Sequence, residues 1–185
     1  MTAPMRRPPD PLRLEISGVT GSEHIPYVRR NLTRAHAILN PAALREMALA
    51  LVGNRKMAEL HQQFMGIAGP TDVLTFESEH DARGRPTAGE VAVCVPYARR
   101  QAQRHRTGLR NELLLYALHG MLHLCGYDDR TARDFSRMHR REDQILTALG
   151  IGPVFAPTPR PRLAAPATGR PQRRRPANAK RRVRP

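Results

Sequence analysis

The sequence predicts an α+β domain: a small mixed sheet of about four strands packed with about five helices. Three observations carry that expectation. Hydrophobic residues recur at a period of two in some segments and at three to four in others. Glycine or proline stands at nearly every change of period. One segment, residues 109–125, is far more apolar than the rest of the chain.

Each element follows from local chemistry. Residues 12–16 (LRLEI) alternate apolar and polar side chains, the pattern of a half-buried strand, and Ser17-Gly18 breaks the run. Ser22 reads as the cap of a helix over 23–39, with Ile25, Val28, Leu32, Ala35 and Leu39 on one face, stopped by Asn40-Pro41. Residues 44–52 suit helix or strand by composition. Gly53-Asn54 resembles a strand-to-helix turn and selects the strand; Asn54 is then the expected cap of a helix running to about Phe64. Thr71 to Phe76 reads as a strand, Glu77 to Ala88 as an exposed loop, and Gly89 to Val95 as the clearest strand of all. Pro96 suits the first turn of a helix to about Arg106, and Thr107-Gly108 breaks it. The apolar helix over 109–125 ends at Gly126, and an amphipathic helix over 131–149 is closed by Gly150. The expected domain spans residues 11–152, between a proline-rich leader at 1–10 and a tail at 153–185.

Composition excludes several classes. Aromatics are 4% of the 185 residues and Trp is absent, so the core must rest on Leu, Val, Ala, Met and Ile. No window approaches the ~18 consecutive apolar residues of a membrane span. The N-terminus has basic residues but no apolar stretch behind them, unlike a secretory signal. Two cysteines, Cys94 and Cys125, make neither a disulfide framework nor a Cys-rich zinc module, and a cytoplasmic setting is the expectation. Of the 31 basic residues, ten lie between Pro153 and Pro185, where there is no acid, so two thirds of the net charge of +15 sits in the tail. Eight of the 17 prolines are there too, and the tail is expected to be disordered. Such a segment suits salt-sensitive contact with nucleic acid phosphates, or is simply a solvated Arg/Pro-rich tail.

Chemistry concentrates at residues 119–129, HGMLHLCGYDD. His119 and His123 are four apart, which puts both imidazoles on one helix face a turn apart. That spacing lets both reach one metal ion. Gly126 can take the left-handed conformation that ends a helix and reverses the chain, bringing Asp129 back beneath the histidines. Two imidazoles, one carboxylate and an open position suit catalytic Zn²⁺, or second to it another transition metal, in a cleft at the end of the apolar helix. The Glu that follows the first histidine in H-E-x-x-H peptidases is here Gly120, so the base of that mechanism is missing. Phosphodiester hydrolysis and acyl transfer remain open to such a metal.

These residues resemble the YbeY family of bacterial rRNA-maturation endoribonucleases, whose hallmark reads H-G-x-L-H-L-x-G-Y-D-H. Three further stretches agree: PTDVLTF at 70–76, GEVAVC at 89–94, and the spacing of Met138, Glu142, Ile145, Leu146 and Leu149-Gly150. The resemblance spans about residues 12–151. It implies an α+β fold and a single-strand-specific, zinc-dependent endoribonuclease with one Zn²⁺ per chain on His119, His123 and Asp129. It further implies single-stranded RNA and rRNA as substrate, the ribosomal small subunit or assembly factors as partners, and a role in ribosome quality control. Two departures stand out. Asp129 replaces the family's third ligand histidine, with Asp128 as a competing carboxylate. Met65 stands where the family typically has an arginine for the substrate phosphate, and Arg55, Lys56, Arg110 or Arg130 are the candidate substitutes. A rival reading is a ribosome-assembly or RNA-binding factor that keeps the fold and has lost strong catalysis.

Other residues take plainer readings. Thr71 and Asp72 are expected in a turn or cap, Cys94 in the core, and Cys125 as a small buried residue at a helix end. His105 and His139 are expected on the surface, and Tyr127 is expected to pack over the glycine turn.

Overall fold

A computed structural model describes residues 11–153. The expected leader at 1–10 and all but the first residue of the expected tail lie outside the described residues. The elements run β1 (Arg13–Gly18), α1 (Ile25–Leu39), β2 (Glu46–Val52), α2 (Asn54–Met65), β3 (Val73–His80), β4 (Pro86–Cys94), α3 (Val95–His105), α4 (Leu109–Leu124) and α5 (Ala132–Ala148). The strands form one mixed sheet in the order β1-β2-β4-β3. β1, β2 and β4 are parallel, and β3 returns antiparallel along β4 as the edge.

Alternation along the strands divides the side chains between two faces. Leu14, Met47, Leu49, Leu51, Val91 and Val93 join the main core with α1, α4 and α5. Val52, Ala92 and Cys94 point the other way and pack with Met57 of α2. A sheet buried on both faces reads as a nearly continuous apolar run, which is why 44–52 gave no clear period.

α4 is the axis of the main core. Leu113, Leu114, Leu118, Met121 and Leu122 are fully buried, each adding about 1.5–3 kcal/mol by burial. Apolar on all sides, the helix is held by β3 and β4 beneath it and by α1, α3 and α5 around it. Its orientation relative to the sheet is fixed by side chains larger than the gap: Leu124 lies over Gly89, and Val91 lies under Gly120.

Three local expectations are corrected. Residues 77–88 are not a loop: β3 runs on to His80 and β4 begins at Pro86. The turn between them is built on Asp81, whose Oδ1 accepts from the Arg83 and Arg85 amides, with Gly84 at φ 70°. This hairpin end is polar because it stands clear of the core, so composition imitated a loop. Ser22 does not cap α1; it opens a short 3₁₀ turn, Ser22–His24, and the α-helix starts at Ile25. Asn54 is the first residue of α2 rather than its cap, and its Oδ1 instead lies 3.4 Å from Cys94 Sγ.

Candidate metal centre

The C-terminal turn of α4 builds the site. Gly126 has φ 84°, a conformation that glycine adopts without strain. The Tyr127 amide then folds back to donate to the Leu122 carbonyl at 3.0 Å. The same reversal puts the Tyr127 carbonyl 3.0 Å from His123 Nδ1 and swings Asp129 towards both histidines.

His119, His123 and Asp129 each offer a ligand atom, and these atoms lie within 4.8 Å of one another. Asp129 Oδ2 is 3.6 Å from His119 Nε2, and Oδ1 is 4.0 Å from His123 Nε2. The two Nε2 atoms are 3.1 Å apart. The His119 side chain is 4% exposed, while those of His123 and Asp129 are 26% and 30% exposed, so the cluster opens to solvent on one side.

The far side of each ring settles what the near side can be. His119 Nδ1 lies 2.7 Å from Glu142 Oε1. A carboxylate only accepts, so Nδ1 carries the proton. His123 Nδ1 likewise donates to the Tyr127 carbonyl. In its neutral form each ring then presents its Nε2 lone pair, and the two Nε2 atoms face each other across 3.1 Å. That arrangement is favourable only with a positive charge between them. Burial, with the neighbouring His119, lowers the His123 pKa, which favours the neutral ring that a metal ion needs. A metal ion fits. Two ligands at ~2.0–2.1 Å on a tetrahedral ion lie about 3.3 Å apart.

Neighbouring groups sort themselves around this cluster. Asp128 is occupied elsewhere: it accepts from the Asp129 and Arg130 amides and pairs with the Arg130 side chain at 2.6 Å. Arg130 thus ties its own turn. Arg55 and Lys56 lie 3.9 Å from Glu59, and Arg110 stacks over Tyr27. Met65 is 59% exposed beside Phe64, whose ring packs on Phe76. Thr71 and Asp72 lead into β3, the Thr71 hydroxyl and the Val73 amide both donating to Asp72 Oδ1. Cys125 is half-buried, and burial pushes its thiol pKa up to about 12, so it stays protonated at neutral pH. Cys94 is core, His105 is exposed, and half-buried Tyr127 packs against the core with Arg137 over its ring.

His139 is the exception. It is not a free surface residue: its Nδ1 lies 2.6 Å from Glu142 Oε2 and its ring 4.0 Å from that of Phe135. In the sequence Glu142 stands out only as part of a helix pattern. A signal for it exists, since a carboxylate on the apolar stripe between Met138 and Ile145 must be buried with partners.

Residues 19–150 match the profile of a family described as Endoribonuclease YbeY. The chain belongs to the YbeY family. The Endoribonuclease YbeY of Moorella thermoacetica is 35% identical over 140 residues, covering 71% of this chain and 90% of that one. The Endoribonuclease YbeY of Geobacillus thermodenitrificans is 29% identical over 139 residues, 70% of this chain and 89% of that one. A Thermotoga maritima protein solved in solution has a similar fold, with TM-score 0.51 and 25% identity over 82% of this chain and 99% of that one. Among the described residues, no helix is long and apolar enough to cross a membrane. Membership in the YbeY family agrees with the fold, and an RNA-cleaving hydrolase is the activity class it brings.

Proposed function

We propose that this chain is a single-strand-specific, metal-dependent endoribonuclease of rRNA maturation and ribosome quality control, working in the cytoplasm. His119, His123 and Asp129 would hold one Zn²⁺. The observation carrying this reading is the pair of Nε2 atoms 3.1 Å apart with a carboxylate beside them, in a member of an endoribonuclease family. When bound, the ion would supply Lewis acidity towards a phosphate oxygen and acidify water. The remaining work falls to the protein. α4 holds both imidazoles rigidly, the Gly126 turn keeps Asp129 within reach, and the half-open side admits the strand. Gly120 leaves no room for the peptidase base, because even a Cβ there would collide with Val91. We assign the activity to residues 11–152. The ten basic residues of 153–185 would add non-specific affinity for rRNA of the small subunit.

The test is purified full-length protein with single-stranded RNA, with and without a chelator. Cleavage that a chelator stops and that His123→Ala loses supports the reading. One observation favours the rival, an RNA-binding assembly factor with weakened catalysis: the exposed side chain beside Phe64 is Met65, which cannot neutralise a phosphate. Tight RNA binding without cleavage, unchanged by chelator, would establish that rival instead.

A further inference from the structure

We propose that Glu142 and His139 are positioning residues that lock His119 in the one tautomer able to serve the centre; this rests on the metal-centre reading above. Glu142 is 0% exposed and lies on α5, a different helix from the histidine it serves. Its two oxygens are both used: Oε1 lies 2.7 Å from His119 Nδ1, and Oε2 lies 2.6 Å from His139 Nδ1. Because a carboxylate only accepts, both imidazoles donate to it. Its two short hydrogen bonds make the buried carboxylate a fixed acceptor, braced by His139 on the side away from His119.

Stability alone is a weak reason to keep this group. A buried ionic cluster is often no better than apolar residues of similar volume. Its geometry does have a consequence for the centre. A free imidazole exchanges its proton between Nδ1 and Nε2, and only one form offers a lone pair at Nε2. With Nδ1 pinned to Glu142, His119 presents that lone pair permanently and its ring cannot turn about Cβ–Cγ. His139, whose ring is packed on Phe135, keeps Glu142 from rotating away. Carboxylates that orient a metal-binding imidazole from behind are worth ~10–100-fold in metal affinity.

The experiment uses the full chain as wild type, Glu142→Met, Glu142→Gln and His139→Phe, with folding checked by circular dichroism. Co²⁺ is titrated in competition with a chromophoric chelator. In parallel, ¹⁵N NMR of the imidazoles reads the tautomer of His119 in metal-free protein. We expect Glu142→Met to weaken Co²⁺ binding ~10–100-fold and to give His119 mixed tautomers. Glu142→Gln retains one acceptor oxygen, so it should recover much of the tautomer and part of the affinity. It also carries the test should the methionine variant fail to fold. His139→Phe leaves all three proposed ligands in place and should cost about tenfold or less. Binding by both Glu142 variants within twofold of wild type would overturn the proposal, as would a protonated Nε2 on His119 in the metal-free wild type. Wild-type protein that takes up no Co²⁺ would instead remove the metal reading, and the tautomer arm would still decide whether Glu142 sets His119.

Discussion

Gly120 and Val91 stand closer than any other residue type at position 120 would permit: a Cβ on Gly120 would lie 2.6 Å from Val91 Cγ1 and 3.0 Å from Thr75 Oγ1. The helix that carries both histidines therefore rests directly on β3 and β4. Gly120→Ala must push α4 away or displace two β-branched side chains that cannot rotate freely. We expect it to destabilise the protein by about 1–3 kcal/mol, as overpacking does. Because α4 moves with it, the distance between His119 and Glu142 of α5 should change as well. Urea denaturation and a metal titration on the same variant check both effects. A stability change below the error of the melt would show that the helix has slack.

The two adjacent aspartates should separate cleanly. Asp129 faces His119 and His123, whereas Asp128 holds the turn through two backbone amides and Arg130. Asp129→Ala should abolish RNA cleavage and weaken metal binding by at least tenfold. Asp128→Ala should keep metal binding within a few-fold and lose a few tenths to one kcal/mol of stability, since its ion pair is exposed. Metal content by elemental analysis and thermal melts distinguish the two. Equal loss of metal in both variants would mean that the turn shares the ligand role.

How much of this was legible beforehand depended on distance along the chain. The histidine pair, the glycine corner and Asp129 fall within eleven residues, and helical spacing alone relates them. Strand β4 was clear because Val91, Ala92, Val93 and Cys94 form a short apolar, valine-rich run after Gly89, and the breaks at Gly53, Gly108 and Gly126 marked element ends. The end of β3 was hidden because Glu77, Ser78, Glu79 and His80 are all exposed and show no inward face. Glu142 was hidden for another reason: its role comes from the packing of α5 on α4, 23 residues from His119, and no local period reports that. His139 was misread because its polarity suggests solvent, while Glu142 and Phe135 hold it half-buried.

Acid should weaken the fold through His36. This side chain is buried, with Nε2 3.1 Å from the Leu44 carbonyl. Burial depresses its pKa below the ordinary 6.5; the backbone hydrogen bond opposes that shift and Arg45 adds to it. With the folded pKa below the unfolded one, the unfolded chain binds the proton first as pH falls. Stability is then full above about 6.5 and declines as pH drops from there towards the folded value. Chemical denaturation of metal-free protein between pH 7.5 and 5 should show this decline, and the slope should be shallower in His36→Gln. A parallel slope in both proteins would assign the acid sensitivity to other groups.

The tail prediction concerns affinity alone. Ten basic residues without an acid should contact RNA phosphates without choosing among sequences. Deleting residues 153–185 should weaken binding of single-stranded RNA at low salt and flatten the dependence of log K on log salt. Each lost phosphate contact lowers the slope by ~0.7. Cleavage at saturating RNA should be unchanged, because the deletion spares the metal cluster and the helices around it. An unaltered salt slope would deny the tail any part in binding.

In the proposed centre Asp129 would set the charge, and this gives the last prediction. Two neutral imidazoles and a carboxylate would leave a divalent ion with one unit less positive charge than three imidazoles. A less electrophilic ion acidifies water less, so the group that must lose a proton for cleavage should ionise at higher pH. Asp129→His should therefore move the rising limb of the pH–rate profile to lower pH and raise the rate near neutrality. The longer side chain has space to do this, because Asp129 stands 3.6 and 4.0 Å from the two imidazole nitrogens and is itself 30% exposed. Metal content must be measured alongside, since a variant that binds less metal would be slower for a different reason. A fully metallated Asp129→His protein with an unshifted profile would show that ligand charge does not govern the rate-limiting ionisation.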